Sequence, residues 1–236
     1  TNTDGSISAQ VRANPSAGFS ICTFNSPSSG TFNFGHNLNA APEFVIVKTR
    51  GATSDWSVYH ASVTDSTSKY LVLNSNAALA TYSTIWGAAL PTSSVVGLTS
   101  GGAVATSQTC VAYCFAPVEG YSAFGSYTGN GSADGPMVYT GFRPRWIMVK
   151  ETGNANSWFI LDAERSSYNY VADTLWANLS NIENDTSINT NTTFNNFDFL
   201  SNGFKPRSAY SGTNRSSGTY IYAAFAENPF KTARAR

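Results

Sequence analysis

Cleavage of a glycosidic bond needs two carboxylates facing each other across a cleft, one of them with a raised pKa. The sequence offers Asp162 with Glu164, or Asp55 with Asp65, and nothing in their context singles out either pair. Nucleophilic chemistry is no better marked. There is no GxSxG elbow, no HExxH, no phosphate-cradling loop and no Rossmann glycine pattern. Cys110 or Cys114 could serve as a thiol nucleophile only with a histidine that no spacing specifies. His36 and His60 each lack a second His or Cys at ligand spacing, so neither marks a metal site. The loop Gly129–Pro136 (GNGSADGP) carries oxygens at Asn130, Ser132 and Asp134 but one carboxylate, which favours a Gly-rich turn over a calcium loop. No enzymatic activity, metal or cofactor is expected.

Recognition chemistry is better represented. A five-residue loop at Arg50–Ser54 would place Lys48 opposite Trp56, Val58 opposite Ile46 and His60 opposite Phe44. The same geometry would set Lys150 opposite Trp158. A lysine stem over an indole supplies packing and ~0.5–1 kcal/mol of cation–π attraction when exposed. An exposed indole can also stack on the C–H face of a sugar, so tandem pairs of this kind could form a saccharide platform. Because both copies keep the pair, Pro42, Lys48, Trp56, Pro144, Lys150 and Trp158 read first as framework. The candidate ligand-binding residues are then those on which the copies differ or that stand outside the framework: His60, Trp86, Trp176 and Asn191. His60 is matched by Asp162, and Asn191 lies in a long polar insertion, Asn181–Asn196, found only in the second half. Surface loops on a rigid scaffold often carry recognition.

The elements that would hold these residues are strands. APEFVIVKTRGATSDWSVYH (41–60) returns as RPRWIMVKETGNANSWFILD (143–162), with Pro, Lys, Gly and Trp in one register. Around it, GFSICTF, TFNFGH, KYLVLN, SSVVGLTS and TCVAYCFA alternate or run apolar over strand lengths, and most have counterparts in the second half. SNAALATY could form one short helical turn. No stretch carries a 3.6-residue stripe over three turns. The expected class is all-β: two tandem homologous antiparallel β-sandwich-like units, closely packed because VEGYSAFGS leaves almost no linker. The divisions are 1–17 as a linker or N-terminal arm, 18–120 as the first unit and 121–236 as its internal duplicate.

Composition narrows the partners. Charged residues are 12% of the chain, and Lys+Arg equal Asp+Glu at 14 each. Nucleic acid, which demands surplus basic charge, is not an expected partner. No apolar run approaches the ~20 residues of a membrane-spanning helix, so membrane insertion is not expected. Cys110 and Cys114 on one strand would lie ~13 Å apart, beyond disulfide reach, which points to buried free thiols in a protein folded in a reducing cytoplasm.

Taken together, GHNLNAAPEFVIVKTR, DWSVYH, KYLVLNS, VAYCFAPVEGYSAFGSYTGNGSADGPMVYTGFRPRWIMVK, FLSNGFK and YIYAAFAENPFK resemble an uncharacterised C-terminal domain of tail-fibre and related virion proteins of marine phages, including cyanophages. The resemblance covers nearly the whole chain, and the stretch Val111–Lys150 is its most specific part. It implies a virion component assembled in the host cytoplasm, part of an appendage that contacts other virion proteins and the host surface, with a surface glycan as a candidate ligand. Fibres being commonly homotrimeric, it also implies a trimer. A structural or decoration domain bound only to other virion proteins is the alternative, and a polysaccharide depolymerase the third reading.

Overall fold

The chain is all-β. The computed structural model describes residues 1–64, 66–183 and 196–229, and within them a single four-residue α-turn and one 3-10 turn accompany the strands. Two compact units emerge: Thr1–Leu73 with Leu79–Val118, and Asn74–Ala78 with the residues from Glu119 onward.

The first unit contains β1 (Gln10–Asn14), β2 (Phe19–Asn25), β3 (Thr31–Gly35), β4 (Phe44–Thr49), β5 (Trp56–His60), β6 (Lys69–Val72), β7 (Ala80–Thr81), β8 (Val95–Thr99) and β9 (Thr109–Phe115). Seven form one sheet in the order β1-β2-β9-β4-β5-β6-β7, and β3 pairs with β8 in a second. Strand alternation sends Cys22, Phe24, Val45, Val47, Cys110, Ala112 and Cys114 inward from the large sheet. They meet Phe32, Phe34, Val96 and Leu98 of the small one, giving a sandwich-like core. All three cysteines are free and buried. Of the two readings of the opening segment, an ordered arm describes it and a linker does not: Asn2 bridges Ala9, Ile7 bridges Phe34, and β1 lies antiparallel along β2. SNAALATY forms no helical turn. Its Ala80–Thr81 pairs with β6 instead, and the Tyr82 N–H donates to the Ser68 carbonyl at 2.7 Å, so the backbone groups are satisfied by a neighbouring strand.

The second unit contains β10 (Ser122–Thr128), β11 (Val138–Tyr139), β12 (Pro144–Glu151), β13 (Trp158–Asp162), β14 (Leu175–Trp176), β15 (Phe197–Leu200), β16 (Gly203–Pro206) and β17 (Thr219–Ala226). Its five-stranded sheet runs β10-β17-β12-β13-β14, which repeats the order β2-β9-β4-β5-β6. Beside it, β11-β16-β15 occupies the role of β3-β8. Its core gathers Ile147, Val149, Phe159, Leu161, Phe197, Phe199, Phe204 and Tyr222.

Candidate functional site

In the first unit β4 lies between β5 and β9, so one lysine meets both neighbours: Lys48 pairs with Trp56 on one side and with Val111 on the other. Since Val45, Val47, Cys110 and Ala112 point into the core, Lys48, Trp56, Val111 and Tyr113 share the opposite face. Trp56 and Tyr113 lie near-parallel, with 19° between ring planes and centroids 6.5 Å apart. The Lys48 Nζ sits 5.8 Å from the indole centroid, donating to the Ser54 carbonyl and, at 3.3 Å, to the Ser54 hydroxyl. These side chains, with Arg50 and Ala52, line an open cleft of about 510 Å³. Its base is held by backbone bonds. The Arg50 N–H donates to the Thr109 carbonyl at 2.7 Å, and the Thr49 hydroxyl accepts from the Ala105 N–H at 2.9 Å. The lining contains aromatic faces and two cations, with no carboxylate or thiol. Asp55 belongs to the other face and lines a different cleft with Ser57.

The second hairpin keeps the register, Lys150 opposite Trp158, but in a different environment. Lys150 and Trp158 are fully buried, and Ala223 takes the register position of Tyr113. Burial pulls the Lys150 ammonium down to about 8, partly countered by the Glu151 carboxylate. Its Nζ donates to the carbonyls of Glu151 and Asn154. Glu151, itself fully buried, accepts from Arg215 Nε at 3.0 Å and Nη2 at 2.5 Å, from the Asn154 amide at 2.8 Å and from the Asn156 amide. The Trp158 N–H donates to the Asn178 side chain at 2.9 Å. This is a closed polar network with every partner supplied by the chain.

The candidates singled out by sequence fall elsewhere. Trp86 is fully buried, its indole N–H donating to the Lys69 carbonyl at 2.7 Å, and Trp176 sits in the second core. His60 is buried edge-on to Phe44, and its Nδ1 accepts from the Ser62 N–H. None of the three offers a face to a ligand, so as a binding surface the set does not hold. Nor do His60 and Asp162 mark specialisation: Asp162 likewise accepts the N–H two residues on, from Glu164, so both side chains brace the turn after their strand. Asn191, with most of the Asn181–Asn196 insertion, lies outside the described residues, as does Asp65. Pro42 and Pro144 are both buried. His36 is buried, with Nδ1 accepting from the Leu38 N–H and Nε2 on the Thr92 carbonyl, a pairing that requires the neutral ring.

The nominated carboxylates are committed to arginines, Asp162 to Arg165 and Glu164 to Arg145. Asp134 of the Gly-rich loop is held by Lys205 and Arg207. Among the described residues no three His, Cys, Asp or Glu side chains gather as a metal site would require. No described helix is long and apolar enough to cross a membrane.

Sequence reasoning missed Tyr113 and Arg50. The signal for Tyr113 was available in TCVAYCFA, where small apolar residues alternate with it, but not the pairing of β9 with β4. A family model described as a domain of unknown function, DUF7483, matches residues 1–229. No curated protein and no solved structure matches the chain.

Proposed function

The chain belongs to the DUF7483 family, and we propose that it is a non-enzymatic phage virion module, part of a tail fibre or similar appendage, that attaches to a saccharide on the host surface. The virion context rests on the resemblance of the motifs spanning the chain. The ligand class rests on one observation, the Trp56–Tyr113 shelf at an open cleft. Two near-parallel rings present a flat, rigid apolar surface at low entropic cost, and such a surface suits the C–H face of a pyranose. Lys48 and Arg50 at its rim supply donors for sugar oxygens. On this reading the module is carried by other virion proteins, as a homotrimer.

The test is adsorption of the purified chain to cells that the phage bearing it infects, alongside a glycan array. Wild-type chain adsorbs, and Trp56→Ala combined with Tyr113→Ala lowers binding roughly tenfold or more, the scale expected for loss of aromatic anchors. Equal adsorption by the double variant, or none by the wild type, would sink the reading. Retention by other virion proteins alone would favour the decoration role.

A further inference from the structure

We infer that the shelf selects an acidic saccharide, its carboxylate or sulfate held by Arg50 and Lys48 while the ring lies against Trp56 and Tyr113; this rests on the saccharide reading above. The cations of the two units are deployed differently. In the second unit every described arginine is engaged: Arg143 with Glu227, Arg145 with Glu164, Arg165 with Asp162 and Glu183, Arg207 with Asp134 and Asp198, and Arg215 with Glu151. Arg50, exposed at the rim of the cleft, makes no ion pair and no side-chain hydrogen bond among the described residues. Lys48 makes no ion pair there either, and its two bonds to Ser54 leave one of three ammonium donors for a ligand.

The lining adds nothing to cancel this charge. Its titratable members are Lys48, Arg50 and Tyr113, while Asp55, in the loop before β5, lines a different cleft with Ser54 and Ser57. Two uncompensated positive charges beside a flat aromatic surface complement a ring bearing one negative group. A guanidinium fork also matches the two oxygens of a carboxylate or sulfate. A neutral sugar would use the aromatic faces and leave both charges unanswered. A nucleic acid would need more cations than two.

The backbone makes the arrangement ready before binding. Bonds from the Arg50 and Gly51 N–H groups to the Thr109 carbonyl, at 2.7 and 3.4 Å, fix the start of the arginine side chain, and Ser54 fixes the end of the lysine. The lysine is thus placed before binding, and the outer part of the Arg50 side chain is what the ligand has left to order.

The experiment titrates the intact chain with an oligogalacturonate trimer and with the same trimer fully methyl-esterified, which keeps the rings and removes the charge. A sulfated galactan trimer and its unsulfated form provide a second arm that separates carboxylate from sulfate. At least one acidic member should bind roughly tenfold more tightly than its neutral twin at about 50 mM salt, and the gap should close near 500 mM, where the Debye length is only a few Å. Arg50→Gln should bring the acid-to-neutral ratio towards one, with an unchanged thermal melt showing that the variant is folded. Equal binding of acidic and neutral twins, or a ratio that survives Arg50→Gln, overturns the charge selection and leaves the saccharide reading standing. Binding of none of the four probes overturns both.

Discussion

Two hairpins of one register, β4–β5 and β12–β13, have been put to opposite uses. Both set a lysine across from a tryptophan. In the first, the pair is partly exposed, joined by Tyr113 and edged by Arg50. In the second, Ala223 replaces the tyrosine, the pair is buried, and a glutamate at the register position of Thr49 closes a network with Arg215, Asn154 and Asn156. The difference teaches that the repeated residues specify a scaffold, and that their neighbours decide whether the scaffold meets solvent or stability. The charged groups of the second hairpin are spent on one another, whereas in the first the Arg50 guanidinium stands exposed beside the half-buried Lys48.

The sharpest way to break this contrast is to truncate the two indoles. Trp158→Ala should destabilise the second unit by ~3–5 kcal/mol, the range for emptying a fully buried aromatic site. Trp56→Ala should cost about 1 kcal/mol and lose saccharide binding instead. Denaturant unfolding read by hydrogen exchange on β5 and β13 checks both, unit by unit. Similar losses at the two sites would mean that the hairpins do not differ in kind.

Next in size is the position where Thr49 answers Glu151. Glu151→Ala removes the buried carboxylate that accepts from Arg215, Asn154 and Asn156, and about 3 kcal/mol should be lost. Thr49→Ala removes the acceptor of the Ala105 N–H together with the hydroxyl beside the Cys110 thiol, all between uncharged groups, and should cost about 1 kcal/mol. The same exchange-resolved unfolding decides it, and a Glu151→Ala loss no larger than the Thr49→Ala loss would show that the network adds nothing.

The repeated hairpin was legible in the sequence because its information is local. Pro, Lys, Gly and Trp recur at fixed spacing around a short loop, and spacing alone determines which residues face each other. The partnership of Lys48 and Trp56 with Tyr113 was not legible, since β4 and β9 are joined only by a long-range pairing that no local pattern announces. Trp86 misled for a related reason. It lies in an irregular stretch between β7 and β8 with no alternation to reveal its direction, and the Lys69 carbonyl that draws its N–H inward belongs to another strand. His60 and Asp162 misled by chemistry: an imidazole and a carboxylate look unlike until both are seen accepting the N–H two residues ahead.

Alkaline pH should drive the two units in opposite directions. Lys150 is pulled from 10.5 down to about 8 by burial, so between those values the unfolded chain holds more protons than the folded one and the stability of the second unit rises with pH. The full rise would approach about 3 kcal/mol. It is cut short above 10, because burial pushes Tyr220 up to about 12 and the unfolded phenol then ionises first. In the first unit, burial raises the Cys110 thiol above its usual 9.0, with bonds involving Ser26 and Thr49 opposing the shift, so stability there falls as pH climbs past 9.0. Exchange rates in β12 and β9 measured from pH 8 to 10 should therefore diverge, and Lys150→Met should abolish the rise in β12 alone. A flat profile in the wild type would remove the buried lysine from the account.

The smallest expected effect separates the units on the acid side. His36 is lowered by burial, with the Thr92 carbonyl and Asp4 acting the other way, and its Nδ1 is already occupied by the Leu38 N–H. Below 6.5 the unfolded histidine gains a proton that the folded one refuses, so the first unit begins to lose stability there as pH falls. Asp162 in the second unit is desolvated, which would raise it, but bonds from the Arg165 N–H and guanidinium and the Arg165 charge hold it below 3.8. Its contribution is intact above 3.8 and is lost only as pH drops further, through the folded value. Acidification from pH 7 to 5 should thus speed exchange in β3 and β8, which flank His36 and Thr92, before it touches β13. His36→Gln would supply an uncharged donor and acceptor and should flatten that first limb. If β13 loosened first, the acid response would lie with the carboxylates, and the neutral histidine would not be what sets the first unit apart.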